Sequence, residues 1–380
     1  MKQAPPLGLY IHLPWCERKC PYCDFNSHEA QRIPEMEYVD ALLQDLEGDR
    51  ALTQGRPIST LFIGGGTPSL FSAAAISRLL AGVGARVELA ADLEATMEAN
   101  PGSAEADKFA SFRAAGITRL SLGIQSFDDL CLQSLGRVHS SDQARAAIEY
   151  AAAAGFQSFN IDLMHGLPGQ TAASAEADLH AALAFNPPHL SWYQLTVEPN
   201  TVFHKRPPIL PGEDALADIQ QAGEALFAAA GYLQYEVSAY SQRGFNCRHN
   251  LNYWSFGDYL GIGAGAHGKI SHGDGRIERY AKKRQPSDYM AATPATFTAT
   301  RQRLSPADVA GEFMLNALRL NDGFELTLFA DRTGQDIAAV EETLRINQQR
   351  GLLEIEQGRV KASELGRRFL DSLVSEFFPD

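Results

Sequence analysis

The 380-residue chain contains no run of ~20 uninterrupted apolar residues, so a transmembrane helix is not expected. Its most extended uncharged stretch, Pro57 to Ser77, is broken by Gly64, Gly65, Gly66 and Pro68 and reads as strand, turn and helix start. A signal peptide is not expected either, because the N-terminus holds one lysine and no clean apolar core ending in a small-residue cleavage site. Positive charge is scarce: 33 Lys and Arg stand against 46 Asp and Glu, a net charge of −13. That balance argues against a general nucleic-acid binder and against a polybasic grip on an anionic membrane. Cysteine is sparse and odd in number, five in all, with three crowded between positions 16 and 23. Such spacing makes a poor disulfide framework and a good metal-binding one, which predicts a reducing, cytoplasmic setting. No internal repeat appears, and no low-complexity tract beyond alanine-rich helices such as Ala151–Ala154.

What is present is an ordinary globular composition, with 45% hydrophobic residues. The length suggests two or three domains and suffices for a large apolar core. The first two-thirds alternates β-type runs with amphipathic helical runs. The β-type runs are Leu7–Leu13, Thr60–Ile63, Glu94–Glu98, Arg119–Gln125, Ser158–Leu163 and Leu190–Thr196. Between them lie helical patterns such as Val39, Leu42, Leu43 and Leu46, the i, i+3, i+4, i+7 positions of one buried face. Six strand–helix units in series predict an α/β fold with a parallel sheet. Polar or glycine-rich residues follow almost every strand at once, as Cys16, Gly64–Pro68, Glu98–Pro101, Gln125 and Asp162–Pro168 do. That placement favours a partial (β/α)6 TIM-like barrel, in which those loops share one face.

Three regions follow: a core barrel over 1–235, an extension over 236–304, and a separate C-terminal domain over 305–380. Pro207, Pro208 and Pro211 precede a helix at about 213–230, Tyr232–Tyr240 reads as one further strand, and 281–306 reads as a linker. In the last region Ile337, Val340 and Leu344 mark a helix face. Gly351–Ala362 reads as a hairpin turning at Gln357-Gly358, and a final helix starts at Glu364. This pattern resembles a winged helix. Its 8 Lys and Arg against 14 Asp and Glu argue on charge alone against a DNA-reading role and favour packing or partner contact.

Cys16, Cys20 and Cys23 form C-x3-C-x2-C directly after the first strand. Three thiolates suit three irons of a [4Fe–4S] cluster and leave the fourth iron open. A zinc site is the competing reading, but structural zinc needs four ligands and no partner pair stands at a zinc-ribbon spacing. A redox pair made by Cys20 and Cys23 is a third. The string YIHLPWCERKCPYCDF resembles the opening of the radical S-adenosylmethionine superfamily, whose C-x3-C-x-Φ-C signature has an aromatic Φ, here Tyr22. The resemblance implies a cluster whose open iron is chelated by S-adenosylmethionine. Gly64-Gly65-Gly66-Thr67, after the second strand, is by itself no more than a tight turn. In the superfamily such a glycine loop holds the ammonium group of S-adenosylmethionine, which implies a cofactor role for Gly65, Gly66 and Thr67.

Further strings resemble the oxygen-independent coproporphyrinogen III oxidase-like family over most of the chain. MEANP carries Glu98, SLGIQSF carries Gln125, LGRVH carries Arg137 and NIDLMHGLPGQT carries Asp162, with Tyr10 before the cluster motif. Taken singly, such polar residues at strand ends are ordinary hydrogen-bonding residues. The resemblance implies that they contact S-adenosylmethionine. One departure matters. The oxidases carry a fourth cysteine two residues after the third, where this chain has Phe25. That puts coproporphyrinogen decarboxylation, the alternative activity, in doubt, and whether the chain is an enzyme stays open. CDFNSH and the HNxxYW string His249–Trp254 resemble instead the haem chaperone branch of the family. The branch implies haem as a ligand, with His249 as an axial candidate beside Cys247 and His267. A histidine next to aromatics is otherwise a packing residue. Trp15 and Phe25 flank the cluster motif and are expected to shield it from water and oxygen. The partners implied are haem-requiring apo-proteins such as respiratory enzymes. A homodimer is among the assemblies this allows. A purely structural iron–sulfur protein that never cleaves the cofactor is the non-catalytic alternative.

Overall fold

The structure is a computed structural model that describes residues 4–102 and 105–379. Six parallel strands pair in chain order: β1 (Leu7–Leu13), β2 (Ile58–Gly65), β3 (Leu89–Ala99), β4 (Arg119–Gln125), β5 (Ser158–His165) and β6 (His189–Gln194). The helices α1 (Glu35–Asp49), α2 (Ala73–Gly84), α3 (Glu105–Ala115), α4 (Ser141–Ala153) and α5 (Ala172–Leu183) lie in the connections. The strand period of two divides the sheet into an apolar and a polar face. Leu9, Ile11, Leu61, Ile63, Leu120 and Ile161 are fully buried in the core that also takes Leu42, Leu46 and Leu79 from the helices. The alternate residues are polar and bond one another across strands, as Asn160 Nδ2 does to Ser121 Oγ at 2.8 Å.

After β6 comes α6 (Glu213–Ala229), as expected. The single strand expected over Tyr232–Tyr240 is instead a hairpin, β7 (Leu233–Glu236) and β8 (Ala239–Ser241), added antiparallel to β6. A short helix, α7 (Arg248–Trp254), carries the HNxxYW string. The remainder of the extension is sheet. β9 (Asp258–Ile262) lies parallel to β1 on its free side, and β10 (His267–Ser271), β11 (Ile277–Lys282) and β12 (Thr298–Arg303) continue antiparallel from it. The sheet therefore has twelve strands in the order β12-β11-β10-β9-β1-β2-β3-β4-β5-β6-β8-β7, open at both edges, a partial barrel with added wings.

The linker expected over 281–306 is thus corrected to the end of β11, a short helix Pro286–Met290 and β12. Its cations mislead because one of them is buried. Lys282 Nζ bonds Asp45 Oδ1 at 2.6 Å and Asp49 Oδ2 at 2.7 Å on α1, with Lys282 1% exposed. A buried charge persists only when paired in this way.

The C-terminal region runs α8 (Pro306–Ala317), β13 (Phe324–Glu325), α9 (Leu326–Thr333), α10 (Glu341–Gln349), β14 (Leu353–Glu356) and β15 (Arg359–Ala362). That order and the sheet order β13-β15-β14 are those of a winged helix. The hairpin turns at Gln357 and Gly358, both at positive φ (50° and 84°), as a tight two-residue turn requires. The final helix is two pieces, Glu364–Arg368 and Leu370–Ser375. Phe256 and Ile277 of the extension enter the same apolar core as Phe313, Phe329 and Val360, which fixes this region to the sheet. No helix among the described residues is long and apolar enough to cross a membrane.

Candidate cofactor site

At the C-terminal ends of β2 to β6 opens a cavity of about 310 Å3, within the range of small-molecule sites. Its lining includes Cys16, Cys20, Tyr22, Cys23, Gly65, Gly66, Thr67, Glu98, Gln125, Arg137 and Asp162. Residues scattered over nearly 150 positions of sequence are brought together because each follows, or ends, a parallel strand.

The three cysteines stand on the loop after β1, and all three are free. A turn from Cys23 N to Cys20 O at 3.1 Å shapes this loop, and Cys23 Sγ sits 3.7 Å from Ser27 Oγ. Cys20 Sγ accepts from Arg137 Nη1 at 3.7 Å. Burial raises the pKa of Cys16 and of Cys23, so in the bare protein these two thiols hold their protons. Among the described residues no three His, Cys, Asp or Glu side chains group tightly enough to hold a single metal ion. Three free thiols on one loop, with Arg137 beside them, fit a cluster's three-cysteine donor set and fall one short of structural zinc's four.

The glycine loop is sewn to the root of the cysteine loop by Gly66 N to Leu13 O at 2.8 Å and Thr67 N to Trp15 O at 2.7 Å. A Cβ on Gly66 would lie 2.4 Å from the Trp15 carbonyl oxygen, and one on Gly65, at φ +122°, 2.7 Å from the His12 ring. These glycines therefore serve close packing of two loops, which in turn brings the second loop against the cavity. Gly65 N donates to Glu98 Oε2 at 3.1 Å. Burial, with Asp162 nearby, pushes the Glu98 carboxyl up to about 7.

Arg137 is held by Nη2 to Asn100 Oδ1 at 2.8 Å and to Gly123 O at 2.7 Å. Asn100 Nδ2 in turn donates to Thr67 Oγ1 at 2.9 Å, tying the arginine to the glycine loop. Burial works against the arginine's charge, but Tyr22 and Cys20 beside it keep its pKa above the ordinary value. Gln125 ends β4 at φ 70°, an uncommon conformation for a non-glycine residue, and its Oε1 accepts from Tyr193 OH at 2.7 Å. Asp162 accepts from Ser121 Oγ at 2.8 Å and Asn160 Nδ2 at 2.7 Å, and burial raises its pKa. Two cavity residues, Asn100 and Tyr193, were not foreseen as site residues. Asn100 lies two positions past Glu98 in MEANP, which is the signal that points to it.

Two of the expected residues lie elsewhere. Tyr10 sits below the cavity, its OH 3.0 Å from His12 Nδ1 and its ring stacked on Phe62 at 6.3 Å. His249 is 1% exposed, with Nδ1 2.9 Å from Thr60 Oγ1, Nε2 3.1 Å from Tyr253 OH and its ring stacked on Phe62 at 5.3 Å. Both ring nitrogens are engaged, and burial lowers its pKa to about 3, so the ring is neutral. Cys247 is buried with Sγ 3.7 Å from Glu94 Oε1, and His267 is exposed at the start of β10. None of these lines the cavity. Trp15 is buried against Tyr38 at 4.6 Å, whereas Phe25 is 61% exposed and lines the cavity together with the three cysteines.

Comparisons with other proteins agree with this geometry. The profile of the radical SAM superfamily matches residues 10–182 and that of the HemN C-terminal domain residues 304–369. The chain is 49% identical over 381 residues to the heme chaperone HemW of Escherichia coli strain K12, covering all of both chains. It is 46% identical to the heme chaperone HemW of Haemophilus influenzae, again over the full length of both. Among solved structures, the coproporphyrinogen III oxidase HemN from Escherichia coli superposes with a TM-score of 0.83 at 24% identity, over 98% of this chain and 90% of that one. The last likeness shows the shared fold; the first two, end to end and close to half identical, show that the chain belongs to the HemW family of radical SAM proteins.

Proposed function

We propose that the chain is a haem chaperone, which binds haem and passes it to haem-requiring apo-proteins such as respiratory enzymes in a reducing cytoplasm. The observation that carries the reading is identity of 49% over the whole length of a relative that bears that name. Phe25, where the related oxidases have a fourth cysteine, supports it, because the cavity keeps three thiols and gains an exposed aromatic edge.

In this reading Cys16, Cys20 and Cys23 hold a [4Fe–4S] cluster, and S-adenosylmethionine occupies the adjoining cavity. When bound, the cluster supplies an electron and the cofactor a sulfonium that the electron can cleave. The chain's own residues do the holding. Glu98, with a pKa near neutrality, offers a carboxylate to a cationic group once it ionises. Arg137, fixed by Asn100 and the Gly123 carbonyl, presents a charge that can meet a carboxylate. Asp162 and Gln125 offer acceptors from fixed positions on neighbouring strands. Anaerobic reconstitution followed by parallel assays of haem binding and coproporphyrinogen conversion tests the reading. Saturable haem binding without porphyrin product is expected, and robust protoporphyrinogen formation by the unmodified chain would replace the chaperone with the oxidase.

A further inference from the structure

The HNxxYW string and the cofactor cavity lie at opposite ends of the barrel. His249 bonds Thr60, near the start of β2, whereas the glycine loop is the end of the same strand. Five residues of strand separate them, about 16 Å at the strand rise. The start of α7 is also held from below, because Glu94 Oε1 accepts from His249 N at 3.1 Å and Oε2 from Arg248 N at 3.2 Å. A flat macrocycle has no route to an imidazole that is 1% exposed with both nitrogens bonded.

The mouth of the cavity has the opposite character. Phe25, 61% exposed, and Val138, 53% exposed, both line it, from the cysteine loop and from the turn after the short helix Asp129–Ser134. Phe25 and Val138 thus leave apolar surface exposed to water on the lining of one cavity, where a bound apolar group would cover it. Arg18 lines the same mouth, is exposed, and takes part in no ion pair among the described residues. Beside the mouth opens a second hollow of about 540 Å3, which shares Arg18 and Val138 with the first. Two exposed apolar side chains, Phe25 and Val138, with the unpaired guanidinium of Arg18 and the carboxylate of Glu17 on the same lining, offer a face contact and a cation to a planar macrocycle that carries carboxylates.

Resting on the chaperone reading, we propose that haem lies across the mouth of the cofactor cavity, its face on Phe25 and Val138 and a propionate on Arg18, and not on His249. Phe25 then contacts the cargo, which explains an exposed phenylalanine two residues from a cluster cysteine. A hold made of face contact and one ion pair leaves an axial position of the iron open to an imidazole of the recipient. Haem seated there also covers the cavity, so haem and S-adenosylmethionine hinder each other's escape.

The test is a Soret titration of anaerobically reconstituted full-length protein with haemin, comparing the unmodified chain with Phe25→Ser, Phe25→Trp and Arg18→Glu. These residues are exposed, so the variants fold. Phe25→Ser is expected to weaken haemin binding roughly tenfold, the loss of an aromatic contact of about 1–1.5 kcal/mol. Arg18→Glu should weaken it to a similar degree, and Phe25→Trp should bind as the unmodified chain does. Saturating haemin should slow dissociation of labelled S-adenosylmethionine from the unmodified protein and not from Phe25→Ser. Equal affinity across all four proteins would overturn the mouth site while leaving the chaperone reading intact. Absence of saturable binding by the unmodified chain would overturn both.

Discussion

Replacing His249 by alanine separates a structural histidine from an iron ligand. In the folded chain the ring spans Thr60 Oγ1 and Tyr253 OH and stacks on Phe62. Truncation leaves the buried Thr60 hydroxyl and the half-buried Tyr253 hydroxyl without their partner, at about 1–3 kcal/mol each where no water reaches them. It also opens a cavity under Phe62, so the total loss is about 3–5 kcal/mol. Against a typical stability of about 5–15 kcal/mol this is large, and the variant should still fold in the cold. The assay is thermal unfolding followed by circular dichroism, with a haemin titration on the same material well below the transition. The expected result is a melting point lower by about 6–20 °C, at roughly 2–4 °C per kcal/mol, with an unchanged Soret maximum. An unchanged melting point together with a shifted or lost Soret band would show that His249 ligates iron and would refute the reasoning.

Cys16→Ala, Cys20→Ala and Cys23→Ala should each abolish or destabilise the brown chromophore after reconstitution, and Cys131→Ala and Cys247→Ala should keep it; iron analysis and the visible spectrum decide. Affinity for S-adenosylmethionine should rise up to about tenfold from pH 6 to pH 8, because Glu98, pushed up to about 7, is mostly neutral at the lower pH and mostly ionised at the higher. The same raised pKa makes the ligand-free fold bind a proton more tightly than the unfolded chain. Its contribution to stability is therefore full below the ordinary carboxylate pKa and is lost as pH climbs through about 7, which melts of the ligand-free protein should register. Gly66→Ala, whose Cβ would sit 2.4 Å from the Trp15 carbonyl oxygen, should weaken both cluster retention and cofactor binding, since the two loops pack on each other. Loss of cofactor binding alone, with the cluster kept at full occupancy, would contradict that packing.

The barrel was legible because its strands alternate residues that meet helices with residues that bond across the interior, and because helices of the right period separate them. The cavity was legible for the same topological reason: Glu98, Gln125 and Asp162 each lie at or near the end of a parallel strand, and the ends converge. Sequence marks which face of a strand a residue takes but not its partner's height along the barrel, and so His249 and Tyr10 appeared to belong to the site. The linker over 281–306 was misread because Lys282, polar in the sequence, is buried and paired with Asp45 and Asp49. Nothing in composition separates such a lysine from a solvated one. Phe25 was noticed as a departure from a cysteine pattern, but its exposure needed the fold.

The measurement that bears most directly on the account is haem transfer under defined conditions. Reconstituted full-length protein is loaded with haemin, freed of unbound pigment and mixed anaerobically with a haem-free recipient, and the recipient's own spectrum and activity are followed. The account predicts that the recipient gains haem from the loaded protein and that Phe25→Ser, loaded under identical conditions, delivers less. Conversion of coproporphyrinogen in place of transfer, or a recipient that gains no haem from a fully loaded protein, would contradict it.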